Sequence, residues 1–183
     1  MTLLGRNEFI TAFEHLDEEL GRMGVEADVF VVGCAAMAVA YDARRATTDV
    51  DAVFVAANEV RIAAARVAQD LGLEEDWLND GVKGFIPGVD VEQVGVYEGK
   101  SLHVAAASPK FLLAMKLMAS RTERDRDDIR TLYAICGFST AEEGLAVLVS
   151  YYPQDQILPR VQFLLEEMFP ELRPRSRDDG LSR

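Results

Sequence analysis

Asp49 and Asp51 occupy alternate positions in Thr48-Asp49-Val50-Asp51, and the apolar residues that follow predict a strand over Asp49–Val55. Alternate side chains of a strand share a face, so the two carboxylates stand side by side. Such a pair repels unless a cation lies between its members. A hard divalent ion such as Mg²⁺ accepts one or two carboxylates and fills its other positions with water and phosphate oxygens. Two solvent-facing acids on a one-sided sheet would show the same spacing. Upstream, Gly33-Cys34 separates the apolar run Asp28–Val32 from the small, helix-prone residues 34–41. A glycine between a buried strand and a helix N-terminus lets backbone amides approach an anion, although a tight turn alone also calls for glycine. Lys116 interrupts the apolar helical stretch Phe111–Ala119. A buried ammonium is expensive without an anion beside it. Its partner is then a phosphate, the Asp49/Asp51 pair or a structural acid, unless the side chain snorkels to solvent. Removal of so costly a charge predicts that Lys116→Met folds normally.

Other residues supply further candidates. Asp90 and Glu92 alternate on a strand expected over Val89–Val96 and offer a third acid. Arg121, Asp125 and Asp128 follow an i, i+4, i+7 series, which pairs charges along one helix face or presents them to a site. Arg44 and Arg45 either bind phosphate or brace the acidic strand. Trp77 beside Leu78 reads as core rather than a base-stacking platform, and His103 as a strand-surface residue.

The elements that must position these groups are legible from hydrophobic period. Helices are expected over residues 5–22, 34–41 and 59–71, with strands over 28–32, 49–55, 89–96 and 102–106. From Ser108, an N-cap with Pro109 at the first helical position, the chain turns helical. Further helices follow at 123–135, after a Ser139/Glu142 capping box, and at 156–168. The expected organisation is an α/β core over 1–106, a helical section over 107–170 and a flexible tail over 171–183.

Composition narrows the function classes. The 183 residues are 49 % apolar and carry a formal charge of −12, which excludes wholesale disorder and argues against general DNA binding. Two cysteines and two histidines exclude a disulfide scaffold, a four-cysteine zinc site and a multi-histidine metal site. With neither a membrane-length apolar run nor a signal-peptide pattern, a cytoplasmic protein is expected.

Gly33-Cys34-x-Ala36, then Arg44-Arg45-x-Thr47-Thr48-Asp49-Val50-Asp51, resembles the first motif of the DNA polymerase β-type nucleotidyltransferase superfamily. Leu113–Arg121 and Arg124–Ile129 resemble the second conserved segment of its AbiEii/MenT-like branch, known from abortive-infection and toxin–antitoxin loci. The resemblance implies an α/β (α+β) fold, a small mixed sheet with flanking helices and a helical C-terminal section. It implies Mg²⁺-dependent transfer of a nucleotide from an NTP to a macromolecule, such as a tRNA 3′ end or a protein hydroxyl. Asp49 and Asp51 would hold the metal, with Lys116 and Asp90 completing the catalytic set. Gly33, Cys34, Arg45, Thr48, Asp125 and Asp128 would bind substrate. The chain departs from the superfamily in having cysteine where Gly-Ser or Gly-Gly is usual. A catalytically degenerate fold acting as a protein-binding, antitoxin-like module is the alternative, and the acidic surface suits a basic protein partner.

Overall fold

The computed structural model describes residues 3–41, 46–119 and 123–170. Helix α1 (Arg6–Met23) starts where Glu8 reaches back to accept the Gly5 amide at 3.0 Å, and stops at Gly24, which adopts a left-handed φ of 67°. Its stripe of Phe9, Phe13, Leu16 and Leu20 is buried. Strand β1 (Ala27–Val31) follows, then helix α2 (Gly33–Tyr41), strand β2 (Val50–Phe54) and helix α3 (Ala57–Leu71). A two-residue strand, β3 (Leu78–Asn79), leads into a short 3-10 turn over Gly81–Phe85. Strands β4 (Val94–Glu98) and β5 (Leu102–Ala106) form a hairpin. Helices α4 (Pro109–Ala119), α5 (Glu123–Cys136), α6 (Ala141–Tyr151) and α7 (Pro159–Met168) complete the chain, with a 3-10 turn at Gln154–Gln156.

The five strands form one mixed sheet in the order β3-β2-β1-β5-β4. Strand β1 runs antiparallel to β2 and parallel to β5, with Val29 opposite both Phe54 and Val104. The fold is therefore the expected mixed sheet with flanking helices and a helical end. Trp77 is core: its indole N–H donates to the Ala64 carbonyl at 3.0 Å, and its ring lies 6.4 Å from that of Phe13. On the other face of β1, Phe30 meets Phe111 of α4 edge-on at 5.6 Å. Among the described residues, no single helix is long and apolar enough to cross a membrane.

Several elements depart from the sequence reading. The strand expected over 89–96 begins only at Val94; Val89 and Val91 are 86 % and 90 % exposed, so no layer covers their side of the chain. The capping box of α6 is Thr140 with Glu143, one residue later than expected. Glu143 Oε2 accepts the amides of both Ser139 and Thr140, at 2.7 and 2.9 Å, which favours it over Glu142. The last helix begins at Pro159 rather than 156, because Gln154–Gln156 forms its own 3-10 turn.

Helices α1 and α3 are clasped by Glu19, a buried carboxylate that accepts from Arg66 at 3.0 Å and from Arg22. The Arg66 hydrogen bond, followed by the charge and hydrogen bond of Arg22, holds the Glu19 carboxyl below its ordinary 4.5 despite its burial. A depressed carboxyl contributes stability above its unfolded pKa and loses it as pH falls through the folded value. Glu19→Gln should therefore cost about 1–2 kcal/mol at pH 7, since both arginines are half-exposed and screened. The melting-temperature gap between the two proteins should close between about pH 5 and 3. A gap that is constant with pH would show that packing, not charge, is what Glu19 contributes.

Candidate active site

Asp51 lies on β2, half-buried, and Asp49 immediately precedes that strand. The strand expected from residue 49 thus starts one residue late. The Thr47 hydroxyl donates to Asp49 Oδ1 at 2.9 Å. The Asp51 carboxyl is raised above its ordinary value, first by burial and then by the negative charge of Asp49. A hydrogen bond from Asn79 and the positive charge of Lys116 act the other way. The two aspartates are therefore electrostatic neighbours, with the lysine within range.

Gly33 closes the turn from β1 into α2. Val32 N–H donates to the Asp51 carbonyl at 2.9 Å, which extends the β1–β2 pairing to the foot of the helix. Gly33 itself is left-handed, with φ 65°. A Cβ there would lie 3.3 Å from Asp51 Oδ2, so the first turn of α2 presses directly on this carboxylate. First-turn amides of a helix have no partner within it and point where an anion would sit. Gly33→Ala should cost about 1–2 kcal/mol, from the left-handed backbone and the crowded carboxylate together. A melting temperature unchanged within 1 °C would mean that the turn relaxes freely.

Lys116 projects from α4 into the same corner. Its Nζ lies 2.6 Å from Asp128 Oδ2 and 3.8 Å from Asp125 Oδ1, both on α5, and 4.0 Å from Cys34 Sγ on α2. The costly lysine is thus explained by a carboxylate that is itself fully buried. The two acids of the i, i+4, i+7 series do not spend their charge only along α5; Asp125 and Asp128 converge on Lys116 of the neighbouring helix. Gly33, Cys34, Asp49, Asp51, Lys116, Asp125 and Asp128 therefore share one corner.

Asp90 is placed differently. It is not on a strand, and its carboxylate accepts the Ser108 amide at 2.6 Å, the Ser108 hydroxyl at 3.0 Å and the Glu92 amide at 3.1 Å. Ser108 in turn caps α4 by accepting the Phe111 amide at 3.3 Å. Asp90 is buried and braces the start of α4, while Lys116 stands about two helical turns, roughly 10 Å, further along. Glu92 pairs with Lys110 at 3.1 Å on the surface. His103, exposed on β5, pairs with Glu98 at 2.7 Å. Arg44, Arg45 and Arg121 lie outside the described residues.

Asn79 escaped the sequence reading. It stands opposite Asp51 in the parallel β2–β3 pairing, acts to lower that carboxyl, and accepts the Gly81 amide at 3.1 Å through Oδ1. No sequence signal marks it, because a two-residue strand has no period to detect.

Residues 8–137 match the model of a family described as nucleotidyltransferase of unknown function, DUF6036. No curated protein and no solved structure matches the chain. The matched stretch contains Gly33, both aspartates, Lys116 and the acids of α5, along with the whole sheet that positions them. The chain belongs to this nucleotidyltransferase family.

Proposed function

We propose that the protein transfers a nucleotide from an NTP to a hydroxyl of a macromolecular acceptor, using a divalent cation held at Asp49 and Asp51. The observation that carries this reading is the convergence of an interacting carboxylate pair, a helix N-terminus and a lysine on one corner. Among the described residues, no group of three or more His, Cys, Asp or Glu could hold a metal, so the protein would supply a two-carboxylate site. Such a donor set fits Mg²⁺, which keeps water and substrate phosphate oxygens for its remaining positions. The ion would screen the phosphate charge and polarise the α-phosphate.

The residues of the chain divide the remaining work. The first-turn amides of α2, at Gly33 and Cys34, would orient the β- and γ-phosphates through backbone N–H groups, which makes the thiol side chain immaterial to anion contact. Lys116 would neutralise charge that develops on the leaving group. The acceptor oxygen forms a bond to the α-phosphorus, the bond to the β-phosphate oxygen breaks, and pyrophosphate leaves with that electron pair. The hydroxyl proton passes to a carboxylate of the pair. Arg45, Thr48, Asp125 and Asp128 would complete the substrate contacts. The resemblance of Leu113–Arg121 and Arg124–Ile129 to the AbiEii/MenT-like branch favours a tRNA 3′ end or a protein hydroxyl as acceptor, within a toxin–antitoxin or abortive-infection setting.

One observation favours a second reading. Asp90, the leading third acid, has its carboxylate bonded to Ser108 and the Glu92 amide. A site without a third acid suits a catalytically silent, antitoxin-like binding module. Calorimetric titration of Mg²⁺ with each NTP, followed by incubation of labelled NTP with bulk tRNA, separates the two. Binding with label transfer supports the enzyme; no NTP binding with Mg²⁺ at millimolar concentration leaves the binding module.

A further inference from the structure

A groove runs along α4, the helix that carries Lys116. It encloses about 850 Å³ between the 3-10 turn after β3, helix α4 and the end of α6. Phe85 and Ile86 form one wall, Met115 and Met118 the floor, and Tyr151 and Tyr152 the far side. Among the described residues, none of its lining side chains is charged, in a chain whose net charge is −12. Phe85 is 74 % exposed, an unusual state for a large aromatic ring. The Tyr151 ring is held edge-on to Phe111 at 5.2 Å, so this side of the groove is rigid.

Two elements connect the groove to the acidic corner. Asn79 stands opposite Asp51 in the β2–β3 pairing and accepts the Gly81 amide, and Gly81 opens the turn that carries Phe85. On α4, Met115 and Met118 share the face that lines the groove, and Lys116 follows Met115 directly in the chain on an adjoining face. A ligand whose phosphates meet Gly33, Asp51 and Lys116 thus has an uncharged, aromatic- and methionine-lined trough within reach of its other end.

We infer that this groove receives the nucleobase and ribose of the nucleoside triphosphate whose phosphates occupy the Gly33–Asp51–Lys116 corner. The inference rests on the reading of that corner as a triphosphate site. A base is the flat, uncharged end of an otherwise polyanionic ligand, and rings and thioethers are the groups that stack on it. The groove volume lies in the range of small-molecule sites and exceeds what a base alone needs, leaving room for the sugar and water. Among the described residues, the polar side chains that line the groove are those of Gln156, Tyr151 and Tyr152. Shape and stacking area, rather than a hydrogen-bond code, then decide which base is preferred, so purines should bind tighter than pyrimidines.

The test compares inorganic triphosphate with ATP, GTP, CTP and UTP, all with Mg²⁺, by calorimetry on the full chain. At least one NTP should bind about 5- to 150-fold tighter than inorganic triphosphate, the range of base stacking. Phe85→Ala should erase most of that advantage and leave triphosphate affinity unchanged. Because the ring is exposed, the fold does not depend on it; Met118→Ala provides a second variant, from α4. Triphosphate binding with no NTP advantage overturns the groove assignment and leaves the phosphate corner standing. An NTP advantage that survives in both variants overturns it as well. Failure of triphosphate and every NTP to bind removes the phosphate corner and this inference with it.

Discussion

Lys116→Met is expected to lower stability by about 1.5–3 kcal/mol, a fall in melting temperature of roughly 3–12 °C for a chain of this size. The sequence alone predicts normal folding, because methionine conserves volume and removes an expensive charge. The geometry overturns that expectation. Lys116 Nζ stands 2.6 Å from Asp128 Oδ2, and Asp128 is fully buried. Methionine would withdraw a cation from a carboxylate that has no bulk water to replace it. A double-mutant cycle isolates the interaction: Lys116→Met with Asp128→Asn should be less destabilised than the sum of the single variants by at least 1 kcal/mol. Additivity within 0.5 kcal/mol would mean that Lys116 and Asp128 do not depend on each other. NTP binding should be lost in the single and the double variant alike, because restored stability does not restore the ammonium.

Asp51→Asn should act in the contrary direction. Burial and the Asp49 charge raise the Asp51 carboxyl, so the folded state favours its protonated form. A raised carboxyl contributes stability below its unfolded pKa and loses it as pH rises through the folded value. At pH 7 the ionised pair is therefore a burden, eased by Asn79 and Lys116 and screened by water at a half-exposed site. The asparagine variant should match the parent or exceed it by up to about 1 kcal/mol without metal. It should also lose any Mg²⁺-induced rise in melting temperature and slow transfer by about a thousandfold or more. A marked loss of metal-free stability would instead identify Asp51 as a structural acceptor for Asn79.

These expectations show which parts of the site could be read before the structure. The Gly33 turn and the aspartate pair were legible because a strand period and a strand–glycine–helix boundary are local. Val89 and Val91 have the same alternation, yet both face solvent. Period reports which residues share a side, not whether anything covers that side. The role of Asp90 depends on Ser108, which approaches only after β5 has paired with β1. Likewise, Asp125 and Asp128 carry a helical spacing that fits pairing along their own helix, and only the packing of α5 on α4 directs them to Lys116. Asn79 is the extreme case, a site residue defined wholly by which strand lies beside β2.

The pairing of β1 with β5 also bears on how the chain reaches this structure. Ala27–Val31 lies in mid-sheet, yet its parallel partner is Leu102–Ala106, with all three of the sheet's other strands between them in the chain. As the ribosome delivers the protein, β1 and β2 can pair early, but one flank of β1 stays open until residue 106 has emerged. The apolar Val29 and Val31 then wait beside an unpaired edge, the condition in which nascent chains stick to one another. Such distant pairing also predicts refolding on the slow side for this length, in milliseconds to seconds rather than microseconds. The hairpin turn brings its own clasp: Asp17 of α1 accepts the Lys100 and Ser101 amides at 3.3 and 2.7 Å, and Gly99 leaves no room for a Cβ against it. An early-made helix therefore carries the anchor that captures the late strands, and Asp17→Ala should slow refolding more than it speeds unfolding.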